Sequence, residues 1–478
     1  MARIRFGTDG WRAVIAEEFT FANVRLITQA IARYIVHDGR RRQGIVVGYD
    51  NRFLSPEFAQ EVTAVFNGNG IKVYLCALTT PTPVVAYTVQ KLGTAGAVML
   101  TASHNPADYH GLKFIPYYAA PAMPEVTDKI RAILDRMKDS GPEILRMDST
   151  EARKRGLLEY IEPRDDYLQH LARIIDTKVI QKVSPTVVVD PMHGAGIGYL
   201  ETFLTALGCR VLTNRDYRDP LFGGSLPDPG EQYLQPLREK VLRNSALVGV
   251  ALDGDADRLG VIDSTGEYWG ANKILTLFLD HLVRSRGWNG IVARTVATTH
   301  MLDRLAQFHG VEIVETPVGF KYIGEQMRLK DAFLGGEESG GLSIRGHVPE
   351  KDGILAAALF IEMLCAAGQE PSSLLTNIYQ RVGALYSGRI DISTSPETKA
   401  RVIVNLREWE PKKLGSLKVR EIKRIDGMKI ILEGDCWCLI RASGTEPLFR
   451  IYAEAPTKEQ RDRLQNAICD TLNISLFQ

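Results

Sequence analysis

Residues 44–76, "GIVVGYDNRFLSPEFAQEVTAVFNGNGIKVYLC", carry the reading that decides the fold. "GIVVGYD" (44–50) is a compact apolar strand. "SPEFAQEVTAVFNGNG" (55–70) then opens on a serine cap, keeps helical periodicity and stops at glycine. "IKVYLC" (71–76) is the next strand, "TPVVAYTVQKLG" (82–93) the next helix, and "AGAVML" (95–100) a further apolar strand. Strand, helix and strand in this order predict βαβ units, hence a largely parallel sheet with helices on both faces.

The pattern restarts twice. "TVVVDPMHGAGIGYLETFLTALGC" (186–209) reads strand, Gly-rich turn, helix, and "GIVARTVATTHMLDRLAQFHG" (290–310) repeats it without the glycines. Three such openings predict three related α/β domains. "DGILAAALFIEMLCAAG" (352–368) is a strong apolar helix, after which the character changes. From about residue 370, segments such as "GRIDIST", "KVREIKRIDGMKIILEG" and "CWCLIRASG" predict a smaller α+β domain with an antiparallel sheet. The expected division is 1–150, 151–255, 256–370 and 371–478, with the first boundary in the polar stretch 140–165 and the second near 255–270.

The chain has 478 residues, too many for one hydrophobic core. Its apolar content of 45% and charged content of 24% are those of an ordinary globular protein. A net charge of +1 argues against a field that gathers nucleic acid or an anionic membrane. "DGRRRQG" and "REIKRIDG" are short, interrupted charge runs and read as solvated surface. The opening "MARIRFGTDGW" has no apolar signal core, and no segment reaches the ~18–20 apolar residues of a membrane span. The six cysteines include Cys436 and Cys438, two apart on an expected strand, but no second Cys or His pair completes a zinc site. All six are expected to be reduced core thiols of a cytoplasmic protein.

Four loops carry candidate chemistry. "TASHNP" (101–106) follows the strand 95–100 and sets Ser103 beside His104; by itself it is equally a strand-to-loop turn. "LDGDADRLG" (252–260) puts Asp253, Asp255 and Asp257 at alternate positions between apolar segments. Three carboxylates this close repel one another unless a cation or hydrogen-bond donors compensate, and oxygen-only ligands suit Mg²⁺ or Ca²⁺. An EF-hand counted from Asp253 needs Gly sixth and Glu twelfth, where this chain has Arg258 and Ser264, so Mg²⁺ is the better match. "GGEESGG" (335–341) offers Glu337, Glu338 and Ser339 among glycines; it suits sugar hydroxyls but reads alone as a surface turn. "RASGTEPLFRIY" (441–452) gathers Arg441, Ser443, Thr445 and Arg450 around Gly444, either as a dianion cradle or as a hairpin with charged flanks.

Together, "TASHNP", "DGDADR", "GEESGG" and "RASGTEP", in this order, resemble the α-D-phosphohexomutases, to which phosphoglucomutase and phosphomannomutase belong. The resemblance runs from "FGTDGWR" to "RIYAEA" and is nearest to the phosphoglucomutase type. It implies four domains, three α/β and one C-terminal α+β, around a central cleft. It also implies that Ser103 carries a phosphoryl group and, with Asp253, Asp255 and Asp257, neighbours one Mg²⁺. A phosphoserine adds about −2 charge to that of the aspartates, which the metal and Arg258 partly neutralise. The implied reaction moves phosphate between the 1- and 6-positions of a hexose through a 1,6-bisphosphate, with glucose 1,6-bisphosphate as intermediate and activator. Arg441, Ser443, Gly444, Thr445 and Arg450 would hold the non-reacting phosphate, Glu337 and Ser339 the sugar hydroxyls. His104, Lys113 and Arg12 match other family active-site positions as candidate acid/base and phosphate-positioning groups. Lys351, in the glucomutase-like "HVPEKDG" (347–353), would be a phosphate or proton-transfer contact.

One position departs from the family. Many phosphomannomutase-type members have His at the end of the sugar loop, where this chain has Gly341, and His347 is a candidate to take its place. The expected substrates are glucose phosphates, with mannose phosphates or dual specificity as the alternative. A phosphoglucosamine mutase and a phosphoserine-dependent phosphatase stand behind these. Expected partners are small sugar phosphates alone, with the chain a monomer or homodimer.

Overall fold

The computed structural model describes residue 4 and residues 10–141, 143–443 and 448–472. The chain forms two compact units, Met1–Ala271 with Gly324–Lys330 and Ser339–Glu370, and Asn272–Ile323 with Asp331–Glu338 and Pro371–Gln478.

The first unit contains two sheets. Strands β1 (Gly10–Val14), β2 (Ile45–Tyr49), β3 (Val73–Cys76), β4 (Gly96–Leu100), β5 (Tyr109–Pro116) and β6 (Leu158–Ile161) pair in the order β1-β5-β4-β2-β3-β6. The β4–β2, β2–β3 and β3–β6 pairs are parallel, and β1–β5 and β5–β4 antiparallel. The central strands read as unbroken apolar runs because both faces are covered. Ile45 and Val47 of β2 enter one core cluster with Val98 and Leu100 of β4. Val46, Ala97 and Met99, one residue out of step, enter another on the opposite face.

The helix expected after β2 spans Ser55–Gly68, but Ser55 is not its cap. Leu54, at φ 61°, precedes the helix, and the Ser55 hydroxyl donates to Asp50 Oδ1 at 2.8 Å. The serine belongs to a buried polar group that the cap reading did not anticipate.

Strands β7 (Thr186–Asp190), β8 (Arg210–Thr213), β9 (Val248–Leu252), β10 (Leu259–Asp263) and β11 (Tyr268–Trp269) form the second sheet, in the order β11-β10-β9-β7-β8. β9 and β10 are antiparallel partners, Leu252 opposite Leu259, so the acidic loop 253–258 is the tip of one hairpin. A boundary after residue 255 would cut that hairpin; sheet pairing keeps the chain through Trp269 with β7. Likewise β6, beyond residue 150, completes the first sheet by pairing with β3.

The helix Gly353–Ala367 is buried at every residue from Gly353 to Leu364, as its all-round apolar sequence demands. Asp352 caps it by accepting from Leu355 N, and the helix packs on β9 and β10. No single helix among the described residues is long and apolar enough to cross a membrane.

In the second unit, β12 (Ile291–Thr295) pairs in parallel with β13 (Glu312–Thr316) and β14 (Leu334–Gly336); β15 (Leu342–Ile344) lies in the first unit. The C-terminal strands β16 (Tyr386–Ser393), β17 (Lys413–Leu414), β18 (Leu417–Lys423), β19 (Met428–Leu432), β20 (Trp437–Ala442) and β21 (Leu448–Ala455) form a sheet in the order β16-β21-β20-β19-β18-β17. Every pair in it is antiparallel, as expected. Cys438 lies on β20 and Cys436 just before it, both buried in the core of this sheet.

Candidate active site

β4 is buried throughout and ends at Leu100, delivering the chain into the 101–106 loop. Ser103 stands there in the left-handed region at φ 52°, a conformation that non-glycine residues hold only when their surroundings fix it. Its N–H donates to Thr101 Oγ1 at 2.8 Å, and its hydroxyl donates to Asp253 Oδ2 at 2.8 Å. The hairpin tip can come this close because residue 254 is glycine: a Cβ there would lie 2.4 Å from the Ser103 carbonyl oxygen.

The three aspartates are fully buried, with carboxylate oxygens within 4.8 Å of one another. Asp253 accepts from the backbone N–H groups of Asp257 and Arg258 at 2.8 and 3.0 Å. Lys113, reaching in from β5, donates to Asp255 Oδ2 at 2.6 Å and Asp257 Oδ2 at 3.3 Å. Thr82 Oγ1 donates to Asp255 Oδ2 at 2.6 Å, and Lys351 Nζ lies 3.0 Å from Asp257 Oδ2. Arg258 Nε is 3.8 Å from Asp257 Oδ1.

These charges divide the three carboxyl groups. Burial, reinforced by Asp257 and Asp255, pushes Asp253 well above the usual carboxylate range. Burial would also raise Asp255, but the Lys113 ammonium and the Thr82 hydroxyl overcome it and hold that group low. Asp257 is likewise held low against burial and Asp255, by Lys351 and Lys113. Two buried oxygens, Asp255 Oδ1 and Asp257 Oδ1, have no hydrogen-bond partner. Three clustered buried carboxyl groups with two open oxygens are the donor set of a hard divalent cation, whose charge would also relieve the resistance of Asp253 to ionisation, so the residues fit Mg²⁺.

His104 Nδ1 is 3.4 Å from Ser103 Oγ. The Arg258 charge, then burial and Arg12, depress its pKa well below the ordinary histidine value, so the ring is neutral. Arg12 Nη1 donates to Asn105 Oδ1 at 2.8 Å, which ties β1 to the serine loop. Ser103, His104, Lys113, Arg12, Arg258, the aspartates and Lys351 are thus gathered within the first unit. Ser339 also belongs to this unit, and its neighbour Gly340, at φ +96°, lies against the Leu259 carbonyl.

His347 does not take the place of a sugar-loop histidine. Its side chain is completely buried, with Nε2 2.8 Å from Asp352 Oδ2 and Nδ1 3.1 Å from His170 Nε2, and Tyr167 donates to the same Asp352 oxygen at 2.7 Å. It braces the cap of the helix 353–367.

In the second unit, Glu337 is buried at the end of β14. Its neighbour Glu338 accepts from Thr295 and Tyr452, each at 3.2 Å, which anchors the loop. Arg441 and Arg450 are direct cross-strand partners on β20 and β21. Like charges so placed repel. Asp426 accepts from Arg441 Nε at 2.9 Å, and Asp391 lies 3.9 Å from Arg450 Nε. Ser443 N donates to the Leu448 carbonyl at 3.0 Å; Gly444 and Thr445 lie outside the described residues.

Sequence reading missed Thr82, Arg52, Asn51 and Glu350. Arg52 donates into the serine loop, and Asn51 Nδ2 donates to the carbonyls of His193 and Gly194 at 2.9 and 2.8 Å. Burial raises Glu350, beside Lys351, to about 7. Only the unexplained polar stretch "YDNRFLS" inside an otherwise apolar βαβ unit signalled Asn51 and Arg52.

Four family models match the chain: phosphoglucomutase/phosphomannomutase alpha/beta/alpha domains I, II and III at residues 3–140, 165–266 and 270–382, and the C-terminal domain at 403–471. A phosphoglucomutase/phosphomannomutase of Thermococcus kodakarensis is 30% identical over 455 residues, 95% of each chain. A phosphoglucosamine/phosphogalactosamine mutase of Sulfurisphaera tokodaii is 28% identical over 464 residues, 97% of this chain and 98% of that one. A crystal structure of phosphomannomutase type from Thermus thermophilus superposes with a TM-score of 0.85 at 33% identity, covering 99% of both chains.

Proposed function

Because the chain belongs to the phosphoglucomutase/phosphomannomutase family, we propose that it interconverts hexose 1- and 6-phosphates through a phosphoserine at Ser103, with glucose phosphates preferred. The observation that carries the reading is the Ser103 hydroxyl bonded to Asp253 within a buried acidic triad that keeps two carboxylate oxygens open. Mg²⁺ held by Asp253, Asp255 and Asp257, next to the Ser103 oxygen, would supply Lewis-acid polarisation of the phosphoryl group.

The protein's own residues account for the remaining work. In the forward half, the bond from phosphorus to Ser103 Oγ breaks as a bond to the free sugar hydroxyl forms, giving the hexose 1,6-bisphosphate. The hydroxyl proton needs a base and the departing Ser103 oxygen an acid; the candidates are the neutral His104 ring beside Ser103 Oγ for the first and the Lys113 ammonium for the second. The Ser103 oxygen that departs takes a proton in turn. In the return half, as the bisphosphate's other phosphorus–oxygen bond to the sugar breaks and a bond to Ser103 Oγ forms, the serine proton passes through the same groups to the departing sugar oxygen. Arg12 and Arg258 add positive charge around the transferred phosphoryl, and Lys351 a third cation. Glu337 and Ser339 would take sugar hydroxyls in either orientation. Arg441, Ser443, Gly444, Thr445 and Arg450 would hold the phosphate that does not react, which also answers why two arginines are kept in repulsive register.

The choice of glucose rests on Gly341 and on the glucomutase-like "ETPVGFKYIG" (315–324) and "HVPEKDG". A second reading, phosphoglucosamine, draws on "SGTEP" and on the amino-sugar mutase among the relatives. Steady-state kinetics with the 1-phosphates of glucose, mannose and glucosamine tests the choice. The expected order puts glucose highest in kcat/KM with mannose measurable. A higher value for either competitor overturns the sugar, and release of free phosphate in place of a 6-phosphate overturns the mutase.

A further inference from the structure

The loop that carries Ser103 has little backbone bonding of its own. Inside the stretch from Ser103 to Tyr109 the chain bonds to itself through Asn105 N to the Ala102 carbonyl and Tyr109 N to the Pro106 carbonyl, each 3.1 Å, and Ile15 N reaches in from β1's end to the Asp108 carbonyl at 2.8 Å. Four of the loop's carbonyls instead converge on one side chain. Arg52 Nη2 donates to the carbonyls of Ser103 and Asn105 at 2.7 and 2.6 Å, and Nη1 to those of Pro106 and Tyr109 at 2.6 and 3.0 Å. Arg52 is completely buried, and its Nε lies 3.3 Å from Asp50 Oδ2. Asp50 is fixed in turn by the Ser55 hydroxyl and by Arg52's own N–H on Oδ1. On the other side, the guanidinium carbon sits 4.9 Å over the Phe222 ring.

We infer that Arg52 is a positioning residue for phosphoryl transfer: it holds the Ser103 peptide in its left-handed conformation and so aims the hydroxyl at Asp253. This rests on the reading of Ser103 as the phosphoryl carrier. A guanidinium has five N–H donors in a fixed fork. Here four face loop carbonyls, and the fifth, on Nε, makes no hydrogen bond but is buried beside Asp50, so none is exposed to a phosphate. Arg52 therefore acts through the loop and not on the substrate, unlike Arg12, which sits at the loop's edge on Asn105. The Ser103 carbonyl that Arg52 grips is also the atom against which Gly254 packs, so one contact fixes the serine relative to both its own strand and the acidic hairpin.

Arg52→Lys tests this. Lysine keeps the charge but has three donors and no fork, so it cannot hold four carbonyls. The expected result is a fall in kcat of about a hundred-fold, since a displacement of about 1 Å at the reacting centre has that effect. KM for glucose 1-phosphate should change by less than about threefold. Amide hydrogen exchange should quicken in a peptide spanning 101–110 and stay unchanged in peptides from β7 and β9. Unchanged kcat and unchanged loop protection overturn the inference, as does a raised KM with kcat intact, which would make Arg52 a substrate contact. Ser103→Ala, assayed in parallel, separates this from the underlying reading. If Ser103→Ala stays active, the phosphoserine reading falls. If it is inactive while Arg52→Lys behaves as wild type, only the positioning role falls. Should Arg52→Lys not fold, Asp50→Asn, which frees the arginine from its counter-charge, is read by the same two measurements: a smaller shift in the same direction supports the role, and none overturns it.

Discussion

Asp255 has one oxygen engaged by Lys113 and Thr82 and one open. Asp255→Asn keeps the shape and the hydrogen-bond acceptor but removes the charge that answers Lys113. Turnover should fall by about a hundred-fold or more and Mg²⁺ affinity with it, while circular dichroism stays that of the wild type. Binding measured by calorimetry checks the metal half of that statement without any assay of turnover. His110 presents the opposite problem, a titratable group with no room for charge. It is fully buried on β5, 2.8 Å from Ser55 Oγ and stacked on Phe19 at 4.7 Å, and burial lowers its pKa to about 4. The unfolded chain takes up this proton near the ordinary value of 6.5, so it binds more protons than the fold between pH 6.5 and about 4. Stability should therefore be unaffected by this group above pH 6.5 and fall as pH drops through that window, by about 3 kcal/mol in all. Urea midpoints from pH 7 to 4 test it: His110→Gln should flatten this limb, and an unchanged slope would assign the loss to other groups.

At the scale of elements, two loops and a helix terminus meet without room for a methyl group. A Cβ at Gly254 would lie 2.4 Å from the Ser103 carbonyl, and one at Gly353 would lie 2.4 Å from the Arg258 carbonyl. Gly254→Ala should push the acidic hairpin off the serine loop, destabilise the protein by about 1–3 kcal/mol and lower the phosphate found on Ser103. Denaturant midpoints and intact mass check both parts. Such junctions explain what the sequence could reveal. The strands of the first sheet were legible because Ile45, Val46 and Val47 feed cores on both faces, and the helix 353–367 because it is apolar all round. The acidic loop was legible because three carboxylates at alternate positions have few structural uses. Its boundary was not: an antiparallel hairpin returns the chain to the same sheet, and nothing local distinguishes that from a linker. Arg52, Asn51 and Thr82 stayed hidden because each is a single polar residue that reaches a partner 51 to 173 positions away. Ser55 was misread as a cap because its true partners, Asp50 and His110, converge only in three dimensions.

For the molecule as a whole, the proposed phosphoryl chemistry falls to one unit and the proposed grip on the non-reacting phosphate to the other. The first unit holds Ser103, the aspartates, Lys113 and Lys351, while Arg441, Arg450, Ser443 and Glu337 belong to the second. Arg441→Ala should accordingly raise KM for glucose 1-phosphate strongly, about tenfold or more, because it removes charge-assisted bonds to the non-reacting phosphate. An unchanged KM would place that phosphate elsewhere. Chelation with EDTA should abolish turnover and Mg²⁺ restore it; activity that survives chelation would separate the acidic triad from the reaction. The central claim, that phosphate travels by way of Ser103, is tested most directly by mass. Protein incubated with glucose 1,6-bisphosphate and Mg²⁺, then digested and mapped, should carry one added phosphoryl group on the peptide containing Ser103, and excess glucose 1-phosphate should discharge it at the rate of turnover. A Ser103 that never gains the group while the enzyme turns over, or holds it unchanged through many turnovers, would contradict the account.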